Sequence, residues 1–551
     1  MKSFNRRQFI RLTAAGMAAS AFMSNRVMAN VIQSKTDVIS NTAYGKIKGY
    51  RLNGVSIFKG VPYAGKVSGE RRFLTPGKLK PWTGVRDANR LGAPSIQPPN
   101  QTYGIDEPLP DEDCLVLNIW TPANDNQKRP VMFYSHGGGF VTGSGGSAMQ
   151  DGANLAQRYN VVVVETNHRL GLLGYLYLDE VAGGEFKGSG NRGVQDIAFA
   201  LQWVNDNIAE FGGDPDNVMI FGESGGGMKT SCLYAMPQAA PYFNKASIES
   251  GPGVIIKTAD EAAVTTEMLM KQLGIAKNNW QKLLEMSPQQ ILDAQLALQR
   301  TPVDGTMRGG FMGIGSIGTN AFGPVVDGIV LPNHPFDPTA PDISKDKPLI
   351  TGWNEDEFIF FAMYGGDTSV FTLDRKGLEE KLQAEFGEKA ALVLETYLKA
   401  NPSATPAEIY IAIRSIQFMG LGSITIAEQK VKQGGAPAYL YNFGYKSELK
   451  VPGTDYAFGS MHAMDIPFKF YNISNGMAGK RPERFEAADN MCQLWTSFAR
   501  NSKPIAKGQP EWEPYNLESR PTMRIDTVCS LLNNRYKREI DMWRYLASQS
   551  I

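Results

Sequence analysis

From Asn191 to Phe211 the apolar residues Val194, Ile197, Leu201, Val204, Ile208 and Phe211 recur every three or four positions. That spacing predicts an amphipathic helix with one face on a core. Elsewhere stand short apolar runs rich in β-branched and aromatic residues: VMFYS from Val131, VVVV from Val161, VMIF from Val218, PLIT from Pro348 and AYLYNF from Ala438. Runs of this length bounded by turn residues predict buried strands. Most of them lead into helical patterns, so the chain predicts an α/β architecture with a mainly parallel central sheet covered by helices on both faces. Beyond Pro252 the character becomes more helical. MSPQQILDAQLALQ and ATPAEIYIAIRSIQ each place Ser or Thr before Pro, with Gln or Glu three residues after the cap. Both read as helix starts with a capping box. A Gly-rich loop, Arg308 to Gly323, separates helical regions.

The first 29 residues fall outside this pattern. Arg6-Arg7 is followed by Phe9-Ile10, a modest apolar stretch from Leu12 to Met23, and VMA ending at Ala29. The apolar stretch is about 12 residues against the roughly 20 needed to span a bilayer. With Arg26 near the cleavage point it reads as a twin-arginine signal peptide, residues 1–29, on a protein that is periplasmic or secreted. Residues 30–551 carry no repeat, low-complexity linker or membrane span, and read as one domain.

Composition narrows the chemistry. Of 551 residues, 42% are hydrophobic and 20% charged, as in an ordinary globular protein. The formal net charge is +1. The leader holds five basic residues and no acid, so the remainder carries 51 basic against 55 acidic residues, a net of −4. No basic face predicts nucleic-acid binding. The four histidines, His136, His168, His334 and His462, lack metal-ligand spacing, so neither a metal nor a cofactor is expected. The four cysteines, Cys114, Cys232, Cys492 and Cys529, are irregularly spaced and suggest no disulfide framework.

One stretch carries chemistry. In FGESGGGMKTS, Ser224 follows the apolar run Val218–Phe221 and precedes a helix-capable segment. A strand, a sharp turn and a helix would lift the hydroxyl off the sheet edge, and glycines at 222, 225 and 226 leave room for it. SHGGGF, Ser135 to Phe140, follows another strand. Its unobstructed N–H groups, with that of Gly225, can hold an oxyanion. Three acids, Glu355, Asp356 and Glu357, follow the strand at Pro348, and His462 comes later in GSMHAMDIPFKF. Serine, then acid, then histidine is the order of an α/β-hydrolase.

These motifs, with FKGVPYA, EDCLVLNIWTP, NHRLGLLGY, GNRGVQDIAFALQWVNDNIAEFGGDPDNV, FGPVVDGIVLP and WTSFARNSKP, arrive in the order and spacing of one family. The chain resembles the type-B carboxylesterases of the cholinesterase-like family, which have the α/β-hydrolase fold. The resemblance implies a serine esterase that acts on a small-molecule ester through an acyl-enzyme. It makes Ser224 the nucleophile, His462 the general base and Glu357 the acid that orients the imidazole. It makes Gly138 and Gly139 oxyanion donors beside Gly225, Glu223 the acidic neighbour that shapes the field at the histidine, and Ser250 a supporting serine. Arg72 with Glu112, and Arg169 with Asp196, match structural ion pairs. A monomer is the expected state.

Departures from the family pattern are also visible. Gly225 stands where Ala is frequent, His168 where Tyr is usual, and Phe358 where Gly is common, which predicts a large ring near the triad. Ser95 stands where a cysteine would pair with Cys114, so that thiol is expected to be free. Lys66-Val67-Ser68 replaces the usual prolines. His136 and His168 read as structural and His334 as exposed. A neutral imidazole base predicts kcat/KM rising through about pH 6–7 to a plateau. An amidase, lactonase or carbamate hydrolase with the same machinery, or a silent binding protein of this fold, are the alternatives.

Overall fold

The computed structural model describes residues 35–99, 107–299, 322–474 and 476–549, together with the backbone at 302–303 and 306–307. The leader and the Gly-rich residues 308–321 lie outside the described residues.

Thirteen of the described strands form one mixed sheet. In chain order they are β1 (Thr36–Thr42), β2 (Gly45–Leu52), β3 (Val55–Pro62), β4 (Val85–Asp87), β5 (Val116–Thr121), β6 (Arg129–Ser135), β7 (Val162–Thr166), β8 (Gly213–Glu223), β9 (Lys245–Glu249), β10 (Leu349–Asn354), β11 (Ala438–Phe443), β12 (Thr522–Ile525) and β13 (Ser530–Leu532). The spatial order is β1-β2-β3-β5-β7-β6-β8-β9-β10-β11-β12-β13, with β4 beside β2. From β7 to β12 all neighbours run parallel. The five predicted runs all lie in this parallel part, and their strands are buried along their full length except at the start of β8. Double coverage explains the unbroken apolar character. The antiparallel N-terminal strands were not read from the sequence, because β1 is mostly exposed and largely polar.

The predicted helix is observed as Arg192–Asn207, continued by a tighter turn, Ile208–Phe211. The first predicted capping box forms at Pro288–Gln299, with Ser287 and Gln290 exchanging hydrogen bonds. The second forms at Pro406–Ser415, capped by Thr405 and Glu408. That helix runs on through a wider turn, Ile416–Gly420, into Leu421–Gln433. Pro406–Gln433 is long and apolar enough to cross a membrane, yet it is mostly buried against the protein.

Parallel register brings four strand ends to one edge. Ser135 pairs with Gly222, Glu223 with Glu249, and Glu249 with Gly352. The Gly-rich loop leaves after Ser135 and the serine turn after Glu223, so they emerge side by side. The contact is very close: a Cβ on Gly226 would lie 2.0 Å from the Ser135 carbonyl oxygen and 3.1 Å from that of His136. Gly226→Ala is therefore expected to destabilise the fold at the upper end of the roughly 1–3 kcal/mol range for overpacking, or beyond it. Urea unfolding checks this; an unchanged midpoint would contradict the packing described.

The two ion pairs are buried and structural in geometry. Arg72 grips Glu112 with two nitrogens and donates to the carbonyls of Leu283 and Met286, each at 2.8 Å. Arg169 is bidentate to Asp196 at 2.8 and 2.7 Å. All four cysteines are free and buried, as expected for Cys114. Where the family pattern has prolines, Val67 and Ser68 use their N–H groups on Asp113, at 2.9 and 3.1 Å. His334 is half-buried rather than exposed, its Nδ1 accepting the Ile256 N–H at 3.2 Å.

Candidate active site

Ser224 sits between the end of β8 and the helix Gly225–Ala235, with φ 60° and ψ −125°. That left-handed backbone is strained for a residue with a Cβ, and the surroundings hold it. Its N–H donates to the Glu249 carbonyl at 2.9 Å, and its own carbonyl accepts from Met228 at 3.1 Å. The hydroxyl meets His462 Nε2 at 2.8 Å, and His462 Nδ1 meets Glu357 Oε2 at 2.5 Å. Ser224, His462 and Glu357 are 2%, 1% and 0% exposed, so this chain of hydrogen bonds is shielded from competing water.

Glu357 is fixed from its other side. Its Oε1 accepts the Asn354 N–H at 2.8 Å, and the Asn354 side chain donates to the Met461 carbonyl at 2.8 Å, next to the histidine. Asn354 thus ties acid and imidazole together, a role the sequence reading missed. Glu355 instead pairs with Arg524, Arg535 and Lys446, and Asp356 with Lys446, so Glu357 alone of the three acids faces His462.

Gly138 and Gly139 have φ of 84° and 61°. Among the described residues neither N–H donates to a protein acceptor, and that of Gly225, first in its helix, has no partner within the helix. A Cβ on Gly225 would lie 2.5 Å from Gly139 N. The two segments are therefore packed together, and glycine at 225 is what allows this close approach.

Glu223 Oε1 lies 3.4 Å from His462 Nδ1 and accepts the Ala463 N–H at 3.0 Å. Burial raises its pKa to about 8 despite the nearby imidazole. Burial lowers that of His462, but Glu223 and Glu357 outweigh it and push it up to about 9. The pair titrates as a unit. Any activity that needs a neutral His462 is therefore expected to rise at higher pH than the about 6–7 of an ordinary imidazole. Glu223→Gln removes one of the two carboxylates, and the rise in kcat/KM is expected to move to lower pH by about one unit or more. A pH profile of both proteins checks this; coincident rising limbs would rule out Glu223 as the cause.

Beneath the triad lies a buried charge network that the sequence did not disclose. Lys469 bridges Glu249 at 2.7 Å and Asp465 at 2.5 Å, all fully buried. The i,i+4 spacing of Asp465 and Lys469 was the only local signal for it. Ser250 is buried, but its hydroxyl has no protein partner among the described residues; its N–H bonds the Gly352 carbonyl at 2.9 Å. Phe358 does not reach the triad, contrary to expectation. It opens the helix Phe358–Gly365 and packs on Tyr410 and Phe418, while Phe360 and Phe361 meet His462 at 5.4 and 4.8 Å. His136 and His168 are buried and stacked, as structural residues would be.

Ser224 and His462 open onto a cavity of about 950 Å³ whose apolar walls include Tyr50, Leu91, Met149, Phe360, Tyr364 and Met477. That volume suits a small organic molecule. The fold defines an α/β-hydrolase, and the candidate site sets a serine against a histidine and a glutamate. The carboxylesterase family profile matches residues 36–543, and the chain belongs to that family. It is 33% identical over 509 residues to the para-nitrobenzyl esterase of Bacillus subtilis, covering 91% of this chain and 97% of that protein. It is 30% identical over 550 residues to the liver carboxylesterase of Sus scrofa, covering 94% of each. A Geobacillus stearothermophilus carboxylesterase solved at pH 6.2 superposes with a TM-score of 0.78 at 34% identity, over 92% of this chain and 99% of that one. The protein is a carboxylic ester hydrolase.

Proposed function

We propose that it cleaves esters through an acyl-enzyme on Ser224. Ser224 Oγ attacks the ester carbonyl carbon while His462 Nε2 takes its proton, and the oxygen becomes an anion facing the N–H groups of Gly138, Gly139 and Gly225. The carbon–oxygen bond to the alcohol then breaks, and His462 gives the alcohol the proton. Water repeats the two steps and releases the acid. Glu357 holds Nδ1–H, so that Nε2 is the basic nitrogen, and stabilises the imidazolium. The observation that carries this reading is the unbroken Ser224–His462–Glu357 hydrogen-bond chain at the wall of a ligand-sized cavity.

The test is turnover of p-nitrophenyl esters of rising acyl length, combined with a fluorophosphonate probe mapped by peptide mass. A chain-length optimum with the probe on Ser224 is the expected result. Turnover with Ser224 unlabelled would overturn the reading. We propose too that the chain is exported by the twin-arginine route, a reading supported by Arg6-Arg7, the short apolar stretch and Arg26. Replacing both Arg6 and Arg7 by Lys should retain the enzyme in the cytoplasm on cell fractionation; unchanged export would reject it.

A further inference from the structure

Among the described residues Lys229 is a buried amine without a counter-ion. It lies one turn beyond the nucleophile on the helix Gly225–Ala235 and is 0% exposed. Among the described residues its Nζ has one hydrogen-bond partner, the His136 carbonyl at 2.9 Å. Burial alone lowers its pKa, to about 7, and no carboxylate opposes that. The groups facing it are the Phe140 ring, 6.0 Å away, and the stacked imidazoles of His136 and His168. Burial, and then Lys229 itself, push both imidazoles well below their usual range, so they stay neutral. Neither ring nitrogen of His168 has a partner among the described residues. A lysine in such a place costs stability, and an apolar side chain of similar volume would not.

What the amine touches points to a use for it. The His136 carbonyl shares its rigid peptide plane with the N–H of Gly137, and the next two peptides carry the N–H groups of Gly138 and Gly139. Anchoring that carbonyl sets the direction in which the loop leaves β6. The other side of the root is also closed: a Cβ on Gly143 would lie 2.2 Å from His136 Nδ1 and 2.6 Å from the Gly137 carbonyl oxygen. Resting on the acyl-enzyme reading above, we propose that Lys229 is a positioning residue for the oxyanion loop. It pins the loop at the His136 carbonyl through its Nζ donor, a bond that the amine makes whether charged or neutral. An ester is neutral in the ground state and acquires a negative oxygen only on the way to the tetrahedral intermediate. The benefit therefore belongs in kcat and not in KM.

Lys229→Met keeps most of the length of the side chain and removes the donor. Four quantities decide the matter: kcat and KM on a p-nitrophenyl ester, the affinity of an alkyl boronic acid, whose serine adduct is a tetrahedral anion, and Tm. The expected result is a fall in kcat of about 10–100-fold, an equal loss of boronate affinity, KM within about twofold and Tm unchanged or higher. A kcat within twofold of the parent would overturn the proposal, as would a raised KM with kcat intact. So would a lost kcat that tracks a lost Tm, which is the mark of a merely structural lysine. Should Lys229→Met not accumulate, Lys229→Gln, which keeps a donor on a shorter arm, is read on the same four quantities and is expected to show a smaller loss of kcat than the about 10–100-fold above, yet more than twofold. Fluorophosphonate labelling of Ser224 in the parent is independent of these outcomes, so failure of the proposal and failure of the acyl-enzyme reading remain distinguishable.

Discussion

Ser224→Ala is expected to lower kcat on p-nitrophenyl esters by about five to six powers of ten, as in other serine hydrolases, while leaving the fold intact. The loss is large because, among the described residues, no other hydroxyl is hydrogen-bonded to His462. Ser144 and Ser147 also line the cavity, yet His462 Nε2 is hydrogen-bonded to Ser224 Oγ alone. The loss is clean because the backbone that strains this residue is held by groups the substitution leaves alone, the Glu249 carbonyl and the Met228 N–H. Alanine meets the same left-handed conformation with the same Cβ that serine has. Active-site titration, steady-state turnover and a thermal melt measure the three claims. Turnover retained at a thousandth of the parent rate or more would mean another nucleophile.

Glu357→Gln is expected to cost about four powers of ten in kcat, the scale seen when a triad carboxylate becomes an amide. The geometry shows why an isosteric change is so damaging. One carboxylate oxygen accepts from His462 Nδ1 and the other from the Asn354 N–H. An amide has only one acceptor. If its NH₂ faces Nδ1, the imidazole must carry its proton on Nε2, where it cannot receive one from Ser224. If the NH₂ faces Asn354, two donors oppose each other in a fully buried place. Either arrangement removes the base, by tautomer or by displacement. KM should change little, since Glu357 does not line the cavity. The check is single-turnover acylation. A loss below tenfold would assign the orienting role elsewhere, with Glu223 the neighbour at 3.4 Å.

Much of this site was legible in the sequence because its parts are local. The turn at the proposed nucleophile needs small residues around one serine, and the proposed oxyanion loop needs glycines in series. Both signals fit inside eleven residues or fewer. The acid was not legible on the same terms. Glu355, Asp356 and Glu357 are adjacent, and what separates them is partners far along the chain: Arg524 and Arg535 for the first, Lys446 for the second, His462 for the third. Only resemblance chose among them.

The misses have related causes. Phe358 follows the acid directly, but the helix it opens turns its ring toward Tyr410 and away from the histidine. The pH expectation assumed an imidazole of ordinary affinity; a strand-end glutamate 3.4 Å away moves the expected rise to higher pH. Buried charges such as Lys229 and Lys469 look like surface residues in a string of letters. The β1–β2 hairpin escaped notice because edge strands facing solvent lack a run of apolar residues.

The cysteines carry a last consequence. Four thiols are buried and none is paired, and burial pushes those of Cys114, Cys492, Cys232 and Cys529 above their ordinary range. Thiolate is the reactive form, so the native protein presents almost nothing to an alkylating reagent or an oxidant. No covalent cross-link among the four holds the fold together, and its stability owes them nothing that a reductant can remove. Opening of the structure exposes them in widely separated parts of the chain, from the loop before β5 to the edge near β13. Each thus acts as an intrinsic reporter of its own neighbourhood. The rate at which each is trapped by a thiol reagent times how often that part of the molecule comes apart.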